Sequence, residues 1–171
     1  VMKRVLGWIE SVVFVGVGNS GVWRKVCLPS SNGFFSAGSL GRMYGALVNS
    51  GAVAAEEGSE RLVSVATIEQ VVASWRDTVE TRGATRPGKS NLARRALGFS
   101  PWLDTRISPD PDQVCTLSHF GMGSCVAFGE VETGLAIAVL KNSYEPIAVV
   151  GGSLSPDVHE LVLAIKSEVL R

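Results

Sequence analysis

Three sets of residues in this chain have types and spacings that could do chemistry. Cys115, His119 and Cys125 fall close together and offer thiol and imidazole donors of the kind zinc takes. Their spacing fits no zinc pattern and a fourth ligand is missing, so structural cysteines are the better reading. Gly16-Val17-Gly18-Asn19-Ser20-Gly21 is a literal G-x-G-x-x-G after the strand-like run Val12–Val17. A dinucleotide site also needs a helix directly behind the glycines and an acid roughly twenty residues on. Here Pro29 follows too soon, and after Glu10 the next acid is Glu56. Gly83-Ala84-Thr85-Arg86-Pro87-Gly88-Lys89-Ser90 is a literal phosphate-loop string. It follows the amphipathic helical stretch Ile68–Thr81 where a buried strand is required, and Pro87 removes an amide that a phosphate would need. A nucleotide-binding protein using either string is the weaker alternative, and no cofactor or metal is expected.

The elements that must position any site can be read from periodicity. Ser36 is placed to cap a helix whose Leu40, Met43, Tyr44 and Leu47 recur at i, i+3, i+4, i+7. Asn49-Ser50-Gly51 ends it with residues that tolerate positive φ. A second helix is expected from about Ser64, with Val65, Ile68, Val71, Val72 and Trp75 on its apolar face. Residues 81–95 and 104–113 read as loops; the first carries five basic residues and no acid, a solvated segment without interleaved aromatics. Cys125–Gly129 and Leu135–Lys141 are short apolar strands joined by Glu130–Gly134, an antiparallel hairpin. Ile147–Val150 is a further short strand. Ser155 and Pro156 open the last helix, with Val158, Leu161, Val162, Ile165 and Val169 as its stripe.

Composition bounds the answer. The chain has 171 residues with 16 basic and 16 acidic side chains, so no net charge draws it to nucleic acid or an anionic membrane. The longest apolar runs, Val12–Val15 and Leu135–Leu140, are far too short to span a bilayer. Three cysteines without a C-x-x-C pair give no disulfide framework, and no secretory signal opens the sequence, so an intracellular compartment is favoured. The sequence opens on Val1, and a piece of a longer chain is the expectation.

Two blocks resemble a family. Pro29–Val53 (PSSNGFFSAGSLGRMYGALVNSGAV), continued by Leu62–Val72, is similar to a pattern of Pro, Asn-Gly, a small-residue turn, then a helix with Leu, Arg, Tyr and a terminal Gly. Ser118–Asn142 (SHFGMGSCVAFGEVETGLAIAVLKN) is similar to G-H-x-G-x-G-G-S, an apolar strand, an acidic turn and a second strand ending in Asn. The pair resembles the C-terminal half of β-lactamase-related serine hydrolases, the group of class C β-lactamases, penicillin-recognising carboxypeptidases and esterases. Residues 12–28 also resemble plant and algal proteins in which such a domain follows an atypical-kinase domain.

The resemblance implies an α+β chain: a single partial domain over 1–171, part of a β-lactamase/transpeptidase-like fold, with an antiparallel sheet and flanking helices. It implies hydrolysis of a small-molecule ester or amide through an acyl-serine. By resemblance His119 is the histidine of H-x-G on an edge strand, Gly121 its glycine, and Met122 the region of the oxyanion amide. Ser118 and Ser124 stand where the family often has Gly. The family's S-x-x-K nucleophile and Y-x-N or Y-x-S are missing: Ser39-Leu40-Gly41-Arg42 is the nearest form, in the wrong helix, and neither Tyr44 nor Tyr144 fits. This chain is therefore expected to be inactive alone, to need the N-terminal half of the same domain, and to self-associate through the surface that half would cover. A non-catalytic interaction domain derived from that fold is the rival reading.

Overall fold

The computed structural model describes residues 16–28, 33–49, 61–82, 98–99, 115–121, 125–142 and 155–171. The described elements are helices α1 (Ala37–Val48) and α2 (Val65–Arg82), strands β1 (Thr116–Phe120), β2 (Val126–Glu130) and β3 (Ala136–Val139), and helix α3 (Pro156–Val169). The strands form one antiparallel sheet in the order β1-β2-β3. The described residues thus form an α+β arrangement, as expected.

Helix α1 starts where Ser36 and Ser39 satisfy each other. Ser36 Oγ accepts from the Ser39 amide at 3.1 Å, and the Ser36 amide donates to Ser39 Oγ at 3.1 Å. This reciprocal box occupies two amides that the first turn leaves without partners. The inward face is Leu40, Tyr44, Leu47 and Val48, with Tyr44 3% exposed. Met43, expected on that face, is 37% exposed: the contact line is centred on the i, i+4, i+7, i+8 positions, and Met43 falls on its rim. At the other end Asn49 keeps φ −101°, so positive φ is not what stops the helix there. Instead Asn49 Nδ2 donates to the Gly45 carbonyl at 2.8 Å and to the Gly134 carbonyl at 3.2 Å, tying α1 to the β2–β3 turn. Ser50 and Gly51 lie outside the described residues.

Helix α2 begins behind Ser64, whose Oγ accepts from the Thr67 amide at 3.1 Å. Ile68 and Val71 are buried and Val72 packs beside them, whereas Val65 is exposed. The helix runs through Arg82, two residues into the stretch read as loop. The Trp75 side chain, 83–95 and 104–113 lie outside the described residues.

The hairpins follow from register. His119 pairs with Ala127 and Phe120 with Val126; Phe128 pairs with Ile137 and Gly129 with Ala136. Alternation then gives the sheet two faces. Leu117, His119, Ala127, Gly129, Ala136 and Ala138 face α1. Ser118, Phe120, Val126, Phe128, Glu130 and Ile137 face the other way. Gly129 permits the close approach of α1: a Cβ there would stand 2.6 Å from Val48 Cγ1 and 3.1 Å from the Tyr44 carbonyl oxygen. The β2–β3 turn closes through Gly134, whose φ of +68° is a left-handed conformation that glycine adopts without strain. There the Gly134 amide donates to the Glu130 carbonyl and the Glu130 amide to the Leu135 carbonyl, each at 2.9 Å.

On the second face, Val158 and Val162 of α3 pack with Val126, Phe128 and Ile137. Burying each such side chain contributes about 1.5–3 kcal/mol. Leu161 and Val169, expected in the same stripe, are 48% and 61% exposed, because only one side of α3 meets the sheet. Pro156 occupies the first turn as expected. Ser155 stands at the cap position but makes no capping bond; its hydroxyl donates to the Asp157 carboxylate instead.

One expectation fails outright in the first segment. Gly16 and Val17, read as the end of a buried strand, are helical and are followed by turns as far as Val26, and Val17 is 46% exposed. β-Propensity reflects packing on a pleated surface, and among the described residues none offers Val17 such a surface. Val12–Val15 and Ile147–Val150 lie outside the described residues. Among the described residues no helix is long and apolar enough to cross a membrane.

Candidate functional site

The residues that could do chemistry separate across the sheet. Cys115 goes into the core, 1% exposed, its amide donating to the Glu132 carboxylate at 2.9 Å. Burial, helped by the Glu132 charge and opposed by Arg76, pushes its thiol up to about 12. Such a thiol stays protonated near neutral pH and is a poor nucleophile. Among the described residues no three His, Cys, Asp or Glu side chains converge as a metal site would require.

Residues 16–18 are helical and 19–26 are turns, with no strand among the described residues leading into the glycines. Ser20 Oγ accepts from the Trp23 amide at 3.1 Å, closing a turn, and a Cβ at Gly16, Gly18 or Gly21 would meet nothing within 4 Å. The string 83–90 lies outside the described residues.

His119 stands near the end of β1, an edge strand of the described sheet, and is exposed. It faces the α1 side and lines an open groove of about 360 Å³. Gly121 lines the same groove one residue past the strand. Its amide donates to the Cys125 carbonyl at 2.9 Å, so the chain is held where β1 turns toward β2. Met122 lies outside the described residues. The opposite wall comes from α1 through Leu40 and Tyr44, and from Phe35 just before its cap. Tyr44 sets its ring edge-on to Phe99, with centroids 6.2 Å apart and planes at 73°. Burial pushes its phenol up to about 12, so it does not act as a base near neutral pH.

Sequence reading did not anticipate Cys125, Phe35, Leu40 and Leu140 as members of this groove. Cys125 Sγ accepts from the Lys141 amide at 3.3 Å, which fixes the thiol at the groove floor. One signal was available: residues 117, 119, 125 and 127 alternate in phase across the hairpin, so they share a face. The contribution of α1 carried no local signal, since the contact is long-range.

His159, read as structural or solvated, is buried on α3 at 8% exposure, and its Nε2 has no hydrogen-bond partner. Ser39, the start of the nearest S-x-x-K-like string, spends its hydroxyl on the Ser36 carbonyl at 2.9 Å. Arg42 lies where the lysine would be, and its Nε donates to the Gly38 carbonyl at 3.4 Å. Both interactions are local to α1, with no geometry of nucleophile and base.

Comparison with protein-family models, curated proteins and solved structures finds no match to this chain.

Proposed function

We propose that the chain is the C-terminal portion of a β-lactamase-related serine hydrolase, acting on an ester or amide through an acyl-serine. One observation carries the reading: His119-x-Gly121 ends an edge strand and opens onto a groove walled by the Ser36-capped helix. An antiparallel sheet between that helix and a C-terminal helix agrees with the layering that the resemblance implies.

In this reading a serine on polypeptide beyond this sequence attacks the substrate carbonyl from the groove. A lysine and a tyrosine, also beyond it, take the hydroxyl proton and pass it to the leaving alcohol or amine. The oxyanion that forms accepts a hydrogen bond from the amide of the Met122 region. His119 positions the substrate or the proton network from the strand. Water then cleaves the acyl-serine, releasing the acid.

A fluorophosphonate serine probe tests this. The 171-residue chain alone is expected to take no label, whereas the polypeptide extended through its natural upstream sequence is labelled once, on the serine of S-x-x-K. Stoichiometric labelling of the chain alone overturns the reading. So does an upstream sequence without S-x-x-K.

The second reading is a non-catalytic interaction domain on the same framework. The exposure of Phe34 and Phe35, 58% and 62%, favours it, because aromatic side chains beside a groove commonly anchor partners. An extended polypeptide that takes no label while retaining its fold would select it.

A further inference from the structure

The thiol of Cys125 and the imidazole of His119 share one face of the β1–β2 hairpin and line one groove. We propose that Cys125 is a site of covalent attachment for α,β-unsaturated ketones and aldehydes, with His119 taking the thiol proton and the Tyr44 hydroxyl holding the carbonyl oxygen. The inference goes beyond the acyl-serine reading and uses described residues alone.

Register brings the pair together. His119 stands opposite Ala127 and Phe120 opposite Val126, and the Gly121 amide donates to the Cys125 carbonyl at 2.9 Å, so Cys125 is the diagonal neighbour of His119. Diagonal neighbours on one face lie roughly 7–8 Å apart, within reach of a side chain as long as histidine's. Across from Cys125 is Gly121, where an added Cβ would stand 3.8 Å from the Cys125 Cβ; glycine leaves that flank of the thiol open. The sulfur is held in place by the Lys141 backbone, accepting from its amide at 3.3 Å and donating to its carbonyl at 3.6 Å. Rotation about Cβ–Sγ turns the S–H from that carbonyl toward the imidazole while the bond from the amide stays.

Tyr44 is the third part. It is 3% exposed, it lines the same groove, and its hydroxyl makes no hydrogen bond to a described residue. Burial raises this phenol to about 12, so it keeps its proton and can donate near neutral pH. A carbonyl oxygen arriving in the groove gives that hydroxyl the partner a buried polar group needs. Phe35, Leu40 and Leu140 offer apolar contact to an alkyl chain on the ligand. The addition balances without a co-reactant. As the S–H proton passes to His119, sulfur bonds to the β-carbon and the C=C electron pair moves to give an enolate, whose oxygen accepts from Tyr44. The proton on His119 then passes to the α-carbon, leaving a thioether and a restored carbonyl.

Peptide-mapping mass spectrometry of the 171-residue chain tests this, with exposed Cys27 and buried Cys115 as internal references. trans-3-Nonen-2-one at neutral pH should modify Cys125 at least about tenfold faster than Cys27 and leave Cys115 unmodified. His119→Ala should slow Cys125 by about 10²-fold and Tyr44→Phe by about tenfold, with the Cys27 rate unchanged in each. Continued protection of Cys115 reports an intact core in every variant. His119→Gln, which keeps polar bulk without an equivalent base, should match His119→Ala. Cys125 reacting no faster than Cys27 overturns the inference, as does a Cys125-to-Cys27 ratio that neither His119 variant lowers. A ratio unmoved by Tyr44→Phe overturns the part given to Tyr44.

Discussion

On the α3 side of the sheet, ion pairs and hydrogen bonds add to the apolar contacts of Val158 and Val162. Glu130, 2% exposed, is paired with Lys166 of α3 and accepts from Thr133 Oγ1 at 3.1 Å. Lys141 crosses from the end of β3 to Asp157, and Ser155 joins the same cluster. On the α1 side, the helix is seated mainly by apolar contacts through Gly129, Tyr44, Leu47 and Val48, with the Asn49 side-chain amide bonded to the Gly134 carbonyl at its end, and the imidazole of His119 opens onto the groove. Buried polar groups need partners, and on the α3 face Glu130, Lys141 and Ser155 find them within the chain, whereas the buried Nε2 of His159 has none among the described residues. The α1 face leaves its polar atoms around a space that a small molecule can enter. Position on the sheet thus separates architecture from candidate chemistry more clearly than residue type does: of the two histidines, His159 lies in the packed layer and His119 at the groove.

Substitutions can break this contrast. The largest effect is expected at the buried ion pair. Lys166→Met strands the Glu130 carboxylate and should cost about 3–5 kcal/mol in denaturant unfolding, whereas Lys166→Met with Glu130→Leu should recover most of it. Equal losses in the single and double variants would show that Glu130 is needed for more than its partner. Next comes the seat of α1. Gly129→Ala drives a methyl into Val48 and the Tyr44 carbonyl and should cost about 1–3 kcal/mol. A neutral result would mean that α1 does not lie as close to β2 as 2.6 Å requires.

A smaller effect concerns acid. Bonds from Ser155 and Lys141 hold the Asp157 carboxyl down at about 2, below its ordinary 3.8. Its folded-state value is depressed, so its contribution is present above the ordinary value and disappears as pH falls through about 2. Asp157→Asn should therefore lower stability at neutral pH slightly and flatten the loss between about pH 4 and pH 2. Circular dichroism across an acid titration of both proteins measures it. The smallest effect on stability is expected at the groove: His119→Ala should unfold within about 0.5 kcal/mol of the parent, since the side chain is exposed.

Local signals in the sequence were sufficient for the elements whose causes are local. The Ser36 cap, the start of α2 behind Ser64, the hairpin through Glu130–Gly134 and Pro156 at the start of α3 each depend on a few adjacent residues. The errors fall where a distant surface decides. Met43, Leu161 and Val169 fit an apolar stripe but lie beyond the edge of the face they should meet. Ser155 has the type and place of a cap, yet Lys141 and Asp157 claim its hydroxyl. Gly129 was open to reading, because a glycine within a strand signals close backbone approach. Nothing local announces that Glu130 meets Lys166, thirty-six positions away. The same holds for the groove: His119 and Gly121 were legible as a motif, while Leu40, Phe35 and Leu140 arrive only through the fold.

The most direct test of the proposed acyl transfer compares the two histidines in a polypeptide that joins this chain to the half proposed to precede it. With a neutral p-nitrophenyl ester, His119→Ala should reduce kcat/KM by about 10²–10⁴ while the unfolding midpoint stays in place. His159→Phe should alter the midpoint and leave kcat/KM within about threefold once the folded fraction is corrected. If His119→Ala hydrolyses the ester as fast as the parent, the groove on the α1 face is not the site of acyl transfer.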